Sequence, residues 1–162
     1  MDYEGDRAES EIGACHVYRV DPSGEISIVA DDYMKPNGLA FSPDESLLYI
    51  ADTGITHDPD GPCHIRCHTV NADNTLDGGA VFATCTEGVF DGFRLDRDGR
   101  IWSSAADGVH CLNADGVLIG KVKIPELVGN VCFGGPKLNR LFIAGTTSLY
   151  SVFLNVNGVS PV

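Results

Sequence analysis

The chain has 162 residues, enough for one domain with a real core, and 43% hydrophobic against 21% charged residues excludes a disordered chain. Its net charge of −12 argues against nucleic acid and anionic membrane surfaces as partners, because both attract cations. No apolar run reaches the length of a membrane span. The start, Met1-Asp2-Tyr3-Glu4-Gly5-Asp6, lacks the basic end and apolar stretch of a signal peptide, so a cytoplasmic location is expected.

Residues 1–13 are acidic and polar without periodicity, which reads as an N-terminal surface loop. His16–Val20 and Glu25–Ala30 are strands joined by the turn Asp21-Pro22-Ser23-Gly24. Lys35 to Thr53 then holds two short apolar runs, Leu39–Phe41 and Leu47–Ala51, around Ser-Pro-Asp-Glu-Ser. Proline presets φ there and the Asp and Ser side chains bond nearby amides, so the segment is a hairpin. A polar loop from Thr53 to Pro62 follows. Strands are expected at Ile65–Val70 and Ala80–Thr84, with a turn at Asn71-Ala72-Asp73-Asn74. Asp91–Ala105 repeats the organising hairpin, and Val109–Leu112 with Leu118–Ile124 forms another around Asn113-Ala114-Asp115-Gly116. Asn130–Ala144 repeats it again, and Ser148–Phe153 is the last strand.

Three copies of one hairpin therefore recur, opened by Asn37, Asp91 and Asn130, at intervals of roughly forty to fifty residues. All-strand repeats of that length predict the blades of a β-propeller. Counting strands by place in the repeat gives two, four, four and three, so about three blades of a ring are present. So short an arc leaves apolar blade faces and strand edges uncovered. Residues 1–162 are thus expected to be the C-terminal portion of a longer propeller, or to self-associate to cover those faces.

The six cysteines suggest neither disulfides nor zinc. Cys15, Cys67, Cys111 and Cys132 sit inside apolar strand patterns, where cysteine behaves as a small hydrophobe. In Cys63-His64-Ile65-Arg66-Cys67-His68 the strand period puts Cys63, Ile65 and Cys67 on one face and His64, Arg66 and His68 on the other. A zinc site wants a second close ligand pair, and the sequence holds none.

Several stretches together carry a family resemblance. They are Pro36-Asn37-Gly38-Leu39-Ala40-Phe41-Ser42-Pro43-Asp44 with Tyr49-Ile50-Ala51-Asp52-Thr53, Phe90-Asp91-Gly92-Phe93-Arg94-Leu95-Asp96 with Gly99-Arg100-Ile101-Trp102, and Asn130-Val131-Cys132-Phe133-Gly134-Gly135. In order and spacing they resemble the SMP-30/gluconolactonase/LRE family, and Tyr3-Glu4-Gly5-Asp6-Arg7-Ala8-Glu9 resembles a loop of its bacterial gluconolactonase branch. The resemblance implies a six-bladed propeller that hydrolyses small-molecule lactones with a divalent metal in its central channel. That metal is Ca2+ before Zn2+ or Mg2+. It implies that Asn37 is a metal ligand and that Asp91 is both a metal ligand and the general base. The family's metal-binding Glu of the first blade has no counterpart in this sequence.

The repeat itself supports convergence, because equivalent blade positions meet at the propeller axis. An amide oxygen and a carboxylate are hard donors suited to calcium. Asn130 opens the third copy and is expected to touch substrate or to support the ligands. Asp52 ends the second strand of the organising hairpin and is a candidate for lining the substrate path; Glu4 and Arg7 are candidates on the loop over the channel. No Gly-Xaa-Ser-Xaa-Gly elbow or phosphate-binding Gly-rich loop occurs, so neither a serine hydrolase nor a nucleotide enzyme is indicated. The competing expectation is a non-catalytic propeller used as an interaction scaffold, or an inactive fragment.

Overall fold

The computed structural model describes residues 10–159. These residues form four antiparallel sheets. The first pairs β1 (Val17–Val20) with β2 (Ile26–Ala30). The second runs β3 (Pro36–Phe41), β4 (Leu47–Asp52), β5 (His64–Val70) and β6 (Leu76–Thr84). The third runs β7 (Phe93–Leu95), β8 (Ile101–Ala105), β9 (Gly108–Leu112) and β10 (Leu118–Lys123). The fourth holds β11 (Val128–Gly134), β12 (Arg140–Gly145) and β13 (Leu149–Phe153). Strands follow one another in sequence order within every sheet, as in propeller blades, and the expected series of two, four, four and three strands is observed. Among the described residues no helix is long and apolar enough to cross a membrane.

The apolar core lies between the sheets. Val17, Ala30 and Tyr33 pack on Leu48 and Ile50 and join the first two blades. Tyr49, Ala51, Ile65 and Ala83 meet Phe93, Leu95, Ile101 and Leu112 between the second and third. Val109, with Trp102 and Val122, meets Val131, Phe133, Leu141 and Ile143 between the third and fourth. Each interface buries alternate residues of facing strands, the pattern that period-two side chains require. The outer faces of the arc are bare: Val20, Ile26 and Ile28 are exposed on the first sheet, and Leu149 and Phe153 on the last.

The turns carry the expected chemistry. In Ser42-Pro43-Asp44-Glu45-Ser46, the Asp44 carboxylate accepts from the Ser42 hydroxyl at 2.7 Å, the Ser46 hydroxyl at 2.8 Å and the Ser46 N–H at 3.2 Å. The Ser42 bond and its companions hold the Asp44 pKa down to about 2. One strand starts earlier than its sequence suggests. β6 begins at Leu76 rather than Ala80, because Gly78 and Gly79 take φ of +85° and carry the ladder through a register shift at Cys67/His68. The glycine pair ahead of the expected strand is a bulge within the observed one.

All six cysteines are free thiols. Burial pushes Cys85 and Cys111 up to about 11. Around β5, Ile65 is fully buried, and Cys63 and Cys67 pack against the same core cluster. On the opposite face His68 is buried under Tyr33, its Nε2 2.7 Å from the Tyr33 hydroxyl.

Candidate active site

Strand β7 lies beside β3 on one side and β11 on the other, so the innermost strands of three blades run together. Their openings meet at one end. Asn37 sits on β3 and is exposed, Asn130 sits on β11 and is exposed, and Asp91 stands half-buried just ahead of β7 between them. Contrary to the sequence expectation, the strand register matches Asn37 and Asp91 with Gly129, and Asn130 takes the place of Gly38 and Gly92 in the repeat.

The backbone there is held from three blades at once. The Asp91 C=O accepts the Gly38 N–H of the preceding blade at 3.1 Å. The Gly92 N–H donates to the Gly129 C=O of the following blade at 2.9 Å. Within its own blade, the Asp91 N–H donates to Ser104 Oγ at 3.1 Å and the Gly92 C=O accepts the Ser104 N–H at 3.0 Å. All four main-chain polar groups of Asp91-Gly92 are therefore bonded. A carboxylate on such a segment is held in place by its backbone.

The glycines of Asn-Gly and Asp-Gly serve close approach and not a turn. Neither Gly38 nor Gly92 has a positive φ. A Cβ on Gly38 would lie 2.1 Å from the Asp91 carbonyl oxygen, and one on Gly92 would lie 2.2 Å from Asn130 Cγ and Oδ1. Only a residue without a side chain lets the blades meet this tightly.

Asn130 lays its amide on Gly92, and its Oδ1 accepts the Val131 N–H at 2.8 Å. It buttresses the Asp91 segment. Gly129 beside it leaves room at the carboxylate: a Cβ there would sit 3.7 Å from Asp91 Oδ2. The opening is a shallow cleft of about 530 Å³ lined by Asp91, Leu127, Gly129, Asn130, Gly145 and Thr146. Farther along the same strands, Leu39, Phe41, Arg94 and Cys132 line an apolar cavity of about 260 Å³.

Asp52 has a different place from the expected one. It is 3% exposed, and its carboxylate accepts the N–H groups of Met34 at 2.9 Å, Lys35 at 2.8 Å and Gly54 at 3.1 Å. It anchors the loop into β3 and does not line a substrate path, because three backbone donors draw it inward. Glu4 and Arg7 lie outside the described residues. The sequence reading missed Ser104 and Gly129. The signal for Ser104 was a serine where the other two copies carry Ala51 and Ala144.

Among the described residues no group of three or more His, Cys, Asp or Glu side chains gathers to hold a metal. The donors near the blade convergence are one carboxylate and neighbouring amide oxygens. That set is oxygen-only, and the side-chain-free position at Gly129 keeps space open beside Asp91 Oδ2. Such donors fit a hard cation of the calcium or magnesium type better than zinc.

Comparison with known proteins agrees with this architecture. The chain is 31% identical over 161 residues to the lactonohydrolase oryH of Aspergillus oryzae, covering 88% of this chain and 34% of that protein. It is 27% identical over 141 residues to a gluconolactonase of Zymomonas mobilis, covering 84% of this chain and 39% of that protein. A solved gluconolactonase from Xanthomonas campestris superposes with a TM-score of 0.82 at 36% identity, over 91% of this chain and 47% of that one. Regucalcin of Agrobacterium tumefaciens, a calcium-binding protein, shares the fold with a TM-score of 0.72 at 21% identity, over 90% of this chain and 54% of that one. The chain spans between a third and a half of the length of these curated relatives. The family model for the SMP-30/gluconolactonase/LRE-like region matches residues 1–147, and with blades, repeats and signature stretches all in agreement, the chain belongs to that family.

Proposed function

We propose that residues 1–162 form the C-terminal portion of a propeller lactone hydrolase, with Asp91 as general base and Asn37 and Asp91 as ligands of a divalent cation, calcium first. The observation that carries this reading is the clamp on Asp91-Gly92. Three blades fix the backbone of one carboxylate at the edge of an open cleft. When bound, the cation supplies positive charge to offset the oxyanion that develops on the lactone carbonyl. Asp91 accepts a proton from the attacking water as the new C–O bond forms. It returns that proton to the ring oxygen as the ester C–O bond breaks, so the products are a hydroxy acid and the regenerated carboxylate. Asn37 sets the opposite side of the site from the neighbouring blade. Asn130 holds Gly92 against sliding.

The test uses the full chain and two readouts. Calcium binding is measured by calorimetry, and opening of a sugar lactone by the acid it releases to a pH indicator. The expected result is calcium binding that weakens at least tenfold in Asn37→Ala, together with lactone opening that a chelator stops and Asp91→Asn reduces by roughly a hundredfold or more. Equal turnover by Asp91→Asn, or calcium binding untouched by both substitutions, overturns the assignment.

A further inference from the structure

We infer that Ser104 is a positioning residue for Asp91, acting through the main chain on which the carboxylate stands; this rests on the reading of Asp91 as the catalytic carboxylate.

The three copies of the repeat make the comparison internally. In β3–β4 Leu39 faces Ile50, in β7–β8 Phe93 faces Ser103, and in β11–β12 Val131 faces Ile143. The next residue on the second strand of each blade is Ala51, Ser104 and Ala144. The place calls for a small side chain, and two copies fill it with a methyl group. Only the blade that carries the carboxylate has a hydroxyl there. Ser104 is fully buried. Its position is therefore not solvent chemistry but an internal acceptor, and its Oγ takes the Asp91 N–H at 3.1 Å.

That bond replaces a missing rung of the ladder. Strand β7 starts only at Phe93, so the Asp91 N–H lies ahead of the regular pairing. A side-chain oxygen reaches it where no strand carbonyl does. The Ser104 N–H simultaneously holds the Gly92 C=O at 3.0 Å. One buried residue thus grips the dipeptide at both ends, while Gly38 and Gly129 hold it from the sides. Removing Oγ leaves three of the four bonds intact. The blade seam survives, but the residue that bears the carboxylate gains freedom about its own N–Cα bond. Misplacing a reacting group by a fraction of an ångström lowers turnover more than it lowers substrate affinity.

The experiment compares Ser104→Ala, Ser104→Thr and Ser104→Val in the full chain. Threonine and valine have nearly the same shape, and only threonine keeps the acceptor oxygen. Three quantities are read: exchange of the Asp91 amide by NMR, calcium affinity, and kcat and KM for sugar-lactone opening. The expected result is Asp91 amide exchange at least tenfold faster in alanine and valine than in threonine. A kcat loss of roughly tenfold should accompany it in the same two variants, with KM within about twofold of wild type. Equal Asp91 exchange in threonine and valine, or a loss that falls on KM alone, overturns the inference. If the unaltered chain opens no lactone, the hydrolase reading fails by itself. The positioning role then stands or falls on whether exchange and calcium affinity change together in alanine and valine and not in threonine.

Discussion

Replacing Gly38 by alanine tests the blade seam directly. The backbone conformation of Gly38 is open to any residue, so alanine alone should gain about 0.5–1 kcal/mol by restricting the unfolded chain. The new Cβ, however, meets the Asp91 carbonyl oxygen at 2.1 Å and Gly92 Cα at 3.1 Å. Reaching an ordinary contact requires β3 and the Asp91 segment to part by about 1 Å. The Gly38 N–H···O=C Asp91 bond, now 3.1 Å, then passes out of range. Overpacking of this kind costs about 1–3 kcal/mol and the lost bond about 1 kcal/mol, for a net destabilisation of about 1–3.5 kcal/mol after the gain is subtracted. With a urea slope of about 2 kcal/mol/M, the unfolding midpoint should fall by about 1 M. Gly120→Ala on β10 is the control: it has no positive φ and nothing within 4 Å of its Cβ position, so its midpoint should hold or rise. A Gly38→Ala midpoint equal to or above wild type would refute the reasoning, since the seam would then have slack that the geometry denies.

Two further outcomes follow from side chains outside the cleft. Asp96 is fully buried and accepts from Arg100 Nε at 2.8 Å, Trp102 Nε1 at 2.9 Å, and the N–H groups of Asp98 and Arg100 at 3.0 Å each. Asp96→Ala should cost about 3 kcal/mol by leaving the Trp102 Nε1–H and the Asp98 and Arg100 N–H groups without their acceptor, while Arg100 keeps Asp98 as an ionic partner, and Asp96→Asn less; a thermal melt within a degree of wild type for both would contradict this. The Lys121 ammonium, then His110, hold Asp107 down to about 2 from an ordinary 3.8. A folded pKa below the unfolded one stabilises above about pH 4, and the gain is lost as pH falls through about 2. Asp107→Asn should therefore lower stability by about half a kcal/mol near pH 6 and leave it unchanged near pH 2, as read from urea midpoints; the same difference at both pH values would rule the pairing out.

Strand existence, strand order and the repeat were legible in the sequence because each depends on local pattern. Leu39–Phe41 and Leu47–Ala51 alternate or run apolar, Asp44 sits where a turn needs an acceptor, and the copies recur. Two errors have one cause, which is that glycine and aspartate serve several ends. Gly78-Gly79 lies ahead of the strand expected from Ala80, yet it is a bulge within β6. Asp52, at a strand end, is a candidate for lining the substrate path, yet the N–H groups of Met34, Lys35 and Gly54 take up its carboxylate. Nothing within Tyr49–Thr53 announces partners contributed by the loop after β2. That Asn37 and Asp91 stand on adjoining blades follows from blade equivalence, but Asn130 is one residue out of step, because the register matches Gly129 with them. The clamp was not legible, because a hydrogen bond from Gly38 to Asp91 joins residues of different blades and leaves no trace in either one's neighbours.

Blade seams of this kind are architectural before they are catalytic, and any propeller needs its inner strands to meet. Gly38 and Gly92 alone would therefore say nothing about chemistry. What separates the third blade from its neighbours is the pairing of two side chains at register-matched positions: a carboxylate where the second blade carries Asn37 and the fourth Gly129, and a buried hydroxyl where the other second strands carry alanine. A charged group at a crowded seam is a cost that a purely structural repeat has no reason to bear, since asparagine fits the same place in the preceding blade and glycine in the following one. The hydroxyl is a second departure, and it serves the residue that made the first. The carboxylate and the buried hydroxyl that holds its own backbone N–H occur together in one blade of the repeat, and that pairing is what the proposed reaction requires and a purely structural seam does not.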